Sequence, residues 1–300
     1  MVYDFEEFGK YLKSLRKFQN KTLEDVSYQS GISISTIQAI ENNKRDPSFE
    51  TIEILSYCYG LDLFNVLSNY KNSIFDKFHH ITNNIDNSLD KYEYETIEYE
   101  INKLDELAKS YQFKNNPNFF NTVNMYKGIY NLQHTQNYDL AMESFEKVLD
   151  GRNHVNTIKN LNNLTNIHKR TILNMASLYT INGKISKANE LLIFLINNNT
   201  TSEINIKSFI NMAHNYFYLN EYDKIISVCE HGIKKSIKYN RFDKLVILFW
   251  LYGASNIELN NKKIGNTYII NSLSLSEILC TKEVENNFKF SSKEYYNIEI

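Results

Sequence analysis

The sequence predicts an all-α protein, and three observations carry that reading. With 9 Gly and 2 Pro in 300 residues, the chain lacks the punctuation that many short strands and turns require. Its apolar residues recur at steps of three and four, the period of a helix that buries one face. In the second part of the chain these stripes recur as pairs at hairpin-length intervals. The hydrophobic fraction of 42% is enough for a large core. No run of about 18 apolar residues occurs and the first ~20 residues are polar and charged, so neither a membrane span nor a targeting segment is expected, and the expected location is the cytoplasm. Cys58, Cys229 and Cys280 lie far apart without metal-ligand spacing and read as reduced thiols. The abundance of Asn, Lys, Ile and Tyr suggests an AT-rich genome and says nothing of function.

Taken in order, helix one is expected over Phe5 to Phe18, with Phe8, Leu12 and Leu15 on one stripe and Lys10, Lys13 and Lys17 on the other. The stretch Thr22 to Pro47 then reads as two short helices joined by a turn. Thr22 and Ser33 each stand as an N-cap before an apolar-periodic run, and Gly31 supplies the break between them. In the second of these helices Ile37 and Ile40 face inward with Ile32, while Ser35 and Gln38 face outward. That outward face is short, polar and uncharged, which suits the base edges of a major groove. Helix four begins at Ser48 as N-cap, with Phe49, Ile52, Leu55 and Tyr59 as its expected buried stripe, and helix five covers about Leu63 to Tyr70.

Charge qualifies the nucleic-acid reading. Residues 1–68 hold seven Lys/Arg against ten Asp/Glu, whereas a DNA-binding domain is commonly basic. The cations lie on helix one, at Lys21 just after it, and in the loop after helix three, so a local basic edge can face phosphate on an acidic domain. A dimer is expected, because two half-sites double the modest contacts of one.

This stretch resembles the Cro/C1-type (XRE) DNA-binding domain. The resemblance is carried by Leu12, Leu15 and Arg16, by Thr22 to Val26, by Ser30-Gly31-Ile32-Ser33, by Ile37 and the run Ile40 to Arg45, and by Pro47-Ser48, Leu55 and Gly60-Leu61. It implies base-reading side chains at Ser33, Ile34, Ser35, Gln38 and Ala39, phosphate contacts at Asn42, Lys44 and Arg45, and an internal ion pair between Arg16 and Glu41. The Gln often found at the Leu23, Ile34 and Ala39 positions is missing, which leaves the operator sequence unread.

From about Ile74 onward the pattern becomes paired amphipathic helices. Four copies align as Tyr138, Ala141, Phe145; Ile185, Ala188, Leu192; Tyr222, Ile225, Cys229; and, degenerately, Lys263, Asn266, Ile270, at intervals of 47, 37 and 41 residues. The preceding helix of each pair carries Ile129, Ala176, Ala213 or Ala254 twelve residues before the middle position, with Met125, Ile172, Phe209 or Trp250 four earlier. A weaker first copy falls around Ile81, Ile85, Ile97, Ile101 and Leu104. Small residues where helices cross, flanked by bulky ones, resemble the tetratricopeptide repeat, whose period of about 34 is shorter. The likeness implies a right-handed superhelix of hairpins whose concave face carries function.

The chain holds no Gly-rich phosphate loop, HExxH, paired-Cys or Gly-x-Ser-x-Gly signature, so neither an enzyme nor a cofactor is expected. His79 and His80 are adjacent and point about 100° apart on a helix, which suits a solvated pair better than a metal site.

A helix-turn-helix followed by long hairpins in a chain of this length resembles the Rgg/PlcR family of peptide-sensing regulators. That resemblance implies a cytoplasmic homodimer that binds a two-fold-related operator in double-stranded DNA through residues 1–68 and a short signalling peptide through residues 69–300. Within the repeats, Asn174 and Asn211 stand in the matching strings Ile172-Leu173-Asn174-Met175-Ala176 and Phe209-Ile210-Asn211-Met212-Ala213. An Asn amide can pair with both the C=O and the N–H of a peptide residue whatever its side chain. The equivalent positions are Lys127, suited to a carboxylate, and Tyr252, suited to stacking; Tyr130 and His214 lie further along the same faces. Two other readings share these features. One is a scaffold whose degenerate helix-turn-helix binds protein, and the other a phage-type repressor whose repeats receive an antirepressor.

Overall fold

The computed structural model describes residues 3–71, 74–91, 93–109, 116–151, 158, 164–198 and 200–299. Within them the chain is helical, and its β-structure is a single antiparallel bridge between Tyr3 and Lys71. Two compact units divide it, Met1–Asp86 and Asn87–Ile300.

The first unit holds α1 (Phe5–Phe18), α2 (Leu23–Ser30), α3 (Ile34–Glu41), α4 (Phe49–Tyr59) and α5 (Leu63–Ser68). Asp4, Thr22, Ser33, Ser48 and Asp62 each accept a backbone N–H of the first turn that follows, so every one of these helices starts on a capping side chain. At Thr22 the cap is reciprocal, because Asp25 accepts the Thr22 N–H in return at 2.8 Å. One core unites them: Phe8 and Leu12 from α1, Val26 from α2, Ile37 and Ile40 from α3, Ile52, Leu55 and Tyr59 from α4, and Leu63 and Leu67 from α5. Burying each such side chain contributes about 1.5–3 kcal/mol. Phe49 departs from the expected stripe. It is 70% exposed and stacks on Phe64, because it is the first residue of α4 and lies beyond the edge of this small core.

Helix α6 (Ile74–Lys91) runs through the division between the units, and α7 (Ile97–Lys109) follows it. Four hairpins come next: α8 (Pro117–Tyr130) with α9 (Tyr138–Val148), α10 (Asn166–Ile181) with α11 (Ile185–Asn197), α12 (Ser202–Tyr218) with α13 (Tyr222–Lys238), and α14 (Leu245–Glu258) with α15 (Lys262–Leu279). A last helix, α16 (Lys282–Tyr296), packs on α14, where the Trp250 indole N–H donates to the Ser292 hydroxyl at 3.0 Å. The first three expected copies are buried as read: Ala141 with Phe145, Ala188 with Leu192, and Ile225 with Cys229. The fourth is out of register by one. Gly265 and Ile269 face inward, and Lys263, Asn266 and Ile270 are exposed. The cause is a close crossing in which Gly253 and Gly265 meet, where a Cβ on Gly265 would lie 2.7 Å from the Gly253 carbonyl oxygen.

The turns explain how so many helices end with so few glycines. Asn20, Asn43, Asn220, Asn240, Asn260 and Asn297 all adopt positive φ just past a helix. The following N–H reaches back to the last turn, as in Glu221 to Tyr216 O, Arg241 to Ser236 O and Asn261 to Asn256 O, the Schellman closure.

Candidate functional site

In the first unit the turn between α2 and α3 is set by Gly31, whose φ of +69° suits a residue without Cβ. Ser33 then caps α3; its hydroxyl accepts the Thr36 N–H and touches the hydroxyls of Thr36 and Ser35 at 2.9 and 3.0 Å. Ser33, Ile34, Ser35 and Gln38 are exposed along one side of α3, whereas Ala39 is half-buried. The cap therefore occupies part of the bonding capacity of Ser33, and Ser35 and Gln38 carry the polar surface.

The α3–α4 loop exposes Asn42, Asn43, Lys44 and Arg45. Among the described residues neither Lys44 nor Arg45 pairs with a carboxylate. Asn42 accepts from the Lys13 ammonium at 3.0 Å, which ties a cation of α1 to this loop and adds Lys13 to the basic edge. By contrast, Lys10 is held by Glu6 and Glu7 at 3.0 and 2.7 Å. Beneath the surface, Arg16 and Glu41 form a forked pair, Nε to Oε1 at 2.7 Å and Nη2 to Oε2 at 2.9 Å, with Nη1 donating to the Lys21 carbonyl. Their side chains are 11% and 3% exposed, so the pair locks α1 to α3 from inside.

In the second unit the residues expected to meet an effector all lie on the first helices of the hairpins. These helices neighbour one another in order. Arg170 of α10 stacks over the Tyr126 ring of α8 at 5.2 Å. Asn211 of α12 donates to the Ser177 hydroxyl of α10 at 3.1 Å, and Phe217 of α12 lies 6.2 Å from Trp250 of α14. Asn174 and Asn211 thus stand half-buried on adjacent helices. Asn174 donates to the Arg170 carbonyl of its own helix at 2.8 Å, so each amide commits one N–H within the chain.

The neighbouring positions differ in character. Lys127 is already paired with Asp105 at 3.2 Å, a carboxylate it shares with Lys109. The Tyr130 hydroxyl donates to Glu98 at 3.2 Å and its ring packs against His134, on a π-helical turn over Asn131–Thr135. Tyr252 packs on Tyr268 at 4.5 Å. Burial pushes the His214 imidazole below its ordinary pKa and so favours its neutral form. Sequence reasoning missed Asn215, which is buried, accepts from Thr180 at 2.8 Å and donates to Asn189 at 2.7 Å. Its only signal was an Asn two residues past the crossing Ala213.

Residues 9–71, which span this capped turn and its core, match the model of the helix-turn-helix domain family. Over nearly the whole chain, the structure is similar to PlcR of Bacillus thuringiensis in complex with the peptide PapR7 and DNA, at TM-score 0.62 and 15% identity, covering 95% of this chain and 98% of that one. The chain has the PlcR fold. The apo form of PlcR is similar at TM-score 0.63 and 15% identity, covering 97% and 99% of the two chains. The apo competence regulator ComR of Streptococcus vestibularis is similar at 0.53 and 12% identity, covering 96% and 97%. Curated protein sequences contain no match to the chain. As the PlcR fold requires, a helix-turn-helix domain precedes a helical repeat unit. No helix among the described residues is long and apolar enough to cross a membrane.

Proposed function

We propose that this protein is a cytoplasmic, homodimeric transcriptional regulator whose residues 1–68 bind a two-fold-related DNA site and whose residues 69–300 bind a short signalling peptide. The observation that carries the reading is the joining, in one chain of PlcR fold, of an exposed polar α3 face to a run of hairpins that place Asn174 and Asn211 on adjacent helices. The PlcR structure that this chain resembles holds both a peptide and DNA, which supports the pairing of the two activities.

On DNA, Ser35, Gln38 and Ile34 read base edges with Ser33 and Ala39 at the margins of that face, and Lys44, Arg45 and Asn42 meet phosphate. In the repeats, the remaining hydrogen-bonding capacity of Asn174 and Asn211 pairs with the peptide backbone, while Lys127 and Tyr130 on α8, His214 on α12 and Tyr252 on α14 add side-chain contacts. Each amide pair removed from a desolvated groove costs about 1–3 kcal/mol.

Fluorescence anisotropy with selected genomic fragments tests the DNA half. Lys44→Ala with Arg45→Ala should weaken binding to every sequence and lower the salt slope by about two, since each cation that neutralises a phosphate accounts for about one. An unchanged affinity and slope would mean that the helix-turn-helix serves protein contacts.

A further inference from the structure

The cap of α3 carries a hydroxyl that the similar cap of α4 lacks. Ser48 and Thr51 at α4 repeat the pairing of Ser33 and Thr36, with the Thr N–H on the Ser hydroxyl at 3.1 Å and the two hydroxyls 2.9 Å apart. Where α4 then has Glu50, α3 has Ser35. Ser35 Oγ lies 3.0 Å from Ser33 Oγ, so three side-chain hydroxyls stand in contact at the start of the helix that faces DNA.

A serine hydroxyl has one proton to give and two lone pairs to accept with. Ser33 directs its proton at Thr36 Oγ1, 2.9 Å away, and accepts the Thr36 N–H at 3.2 Å. With that proton spent, the contact between Ser33 and Ser35 is a hydrogen bond only when Ser35 donates it. The Ser35 proton therefore points back at the cap, and its lone pairs are what it presents on the exposed side of α3. Gln38, one turn on, carries donor and acceptor together, so the polarity of this face is set at Ser35.

We propose that Ser35 reads an exocyclic amino group, so that the base it meets is adenine or cytosine and not guanine or thymine. This rests on the DNA reading above. In the major groove adenine offers its N6 amino group and cytosine its N4 amino group, whereas guanine O6 and thymine O4 are acceptors. The lone pairs of Ser35 accept from either amino group and find no partner on a keto oxygen. Turning the hydroxyl outward to suit a keto base breaks its bond to Ser33, so the wrong base costs one hydrogen bond in either arrangement. Every base pair has an amino base on one strand and a keto base on the other. Ser35 thus fixes which strand carries the amino base at its position in the operator.

The test selects binding sites for the full chain from a randomised duplex library, in parallel for wild type and three variants. At the position whose preference is lost in Ser35→Ala, wild type should favour A or C over G or T on one strand by about tenfold. Thr36→Val removes the acceptor of the Ser33 proton, which then turns to Ser35 and frees the Ser35 proton to point outward. The preference should fall to about twofold or less, or pass to G or T. Ser33→Gly, which keeps most of the stability of the cap, should relax it in the same way. Fluorescence anisotropy on the selected site then checks the atom. Replacing the amino base by its deamino analogue, purine or 2-pyrimidinone, should weaken wild type by about tenfold and Ser35→Ala far less. A keto preference at that position, no preference between amino and keto bases, or a selected site that Ser35→Ala leaves unchanged would overturn the proposal and leave the DNA reading standing. An amino preference that persists in both Thr36→Val and Ser33→Gly would overturn the hydroxyl chain as its cause. Failure of wild type to select any sequence would overturn the DNA reading as well.

Discussion

Arg16 and Glu41 join α1 to α3 through two charge-assisted bonds in a place with little water, so the loss of one partner strands the other. Glu41→Ala is expected to destabilise the first unit by about 3–5 kcal/mol in urea unfolding, while Arg16→Met with Glu41→Leu should recover most of that loss. A cost under about 1 kcal/mol for Glu41→Ala would show the pair to be incidental. His214 gives a pH dependence. Because burial lowers its folded pKa, the unfolded chain takes up the proton first, so its contribution is complete above the unfolded value of about 6.5 and falls as the pH drops below it. His168 shifts the same way from burial and adds to the loss. Melting temperatures measured from pH 8 to 5.5 should therefore fall less steeply in His214→Gln than in wild type, and parallel curves would contradict the assignment. At this scale the ion pair was legible, because both residues sat in a recognisable string. The bond from Asn174 to the Arg170 carbonyl and the pairing of Lys127 with Asp105 were not, since a side chain's partner depends on rotamers and on helices distant in sequence.

Helix ends in this protein are written in asparagine. Composition alone assigns that abundance to the genome, yet six asparagines occupy the left-handed position past a helix, where other L-residues carry strain of about 1–2 kcal/mol. Asn240→Val should accordingly lower stability by about that amount, and Asn240→Gly should leave it unchanged or raise it slightly, as read by thermal unfolding. Equal destabilisation by both would mean that the side chain, and not the φ of 55°, matters there. The helix starts of the first unit were readable from Thr22, Ser33 and Ser48, since capping is local chemistry. The last hairpin was misread by one residue because its crossing is made by Gly253 and Gly265, which leave no apolar stripe to align. Gly265→Val should disrupt α14 against α15 and lower the melting temperature sharply, whereas Asn266→Val, on the exposed side, should change it little.

For the whole molecule, the all-helical class and the order of a helix-turn-helix before hairpin repeats followed from spacing and caps, which depend on short stretches of chain. The hairpins bury their crossing residues on one face of each first helix, and the proposed function assigns the effector to another face of the same helices. Asn174 and Asn211 lie on one of those faces, and replacing them should cost little stability while removing peptide response. Isothermal titration calorimetry of the full chain against synthetic heptapeptides, drawn from any short reading frame beside the gene that carries a secretion signal, measures this most directly. One peptide should bind wild type with a dissociation constant of about micromolar or tighter, and Asn174→Ala with Asn211→Ala should weaken it at least about tenfold at an unchanged melting temperature. Equal affinity in wild type and the double variant would contradict the clamp, and the absence of heat with every such peptide would contradict the effector role of the repeats.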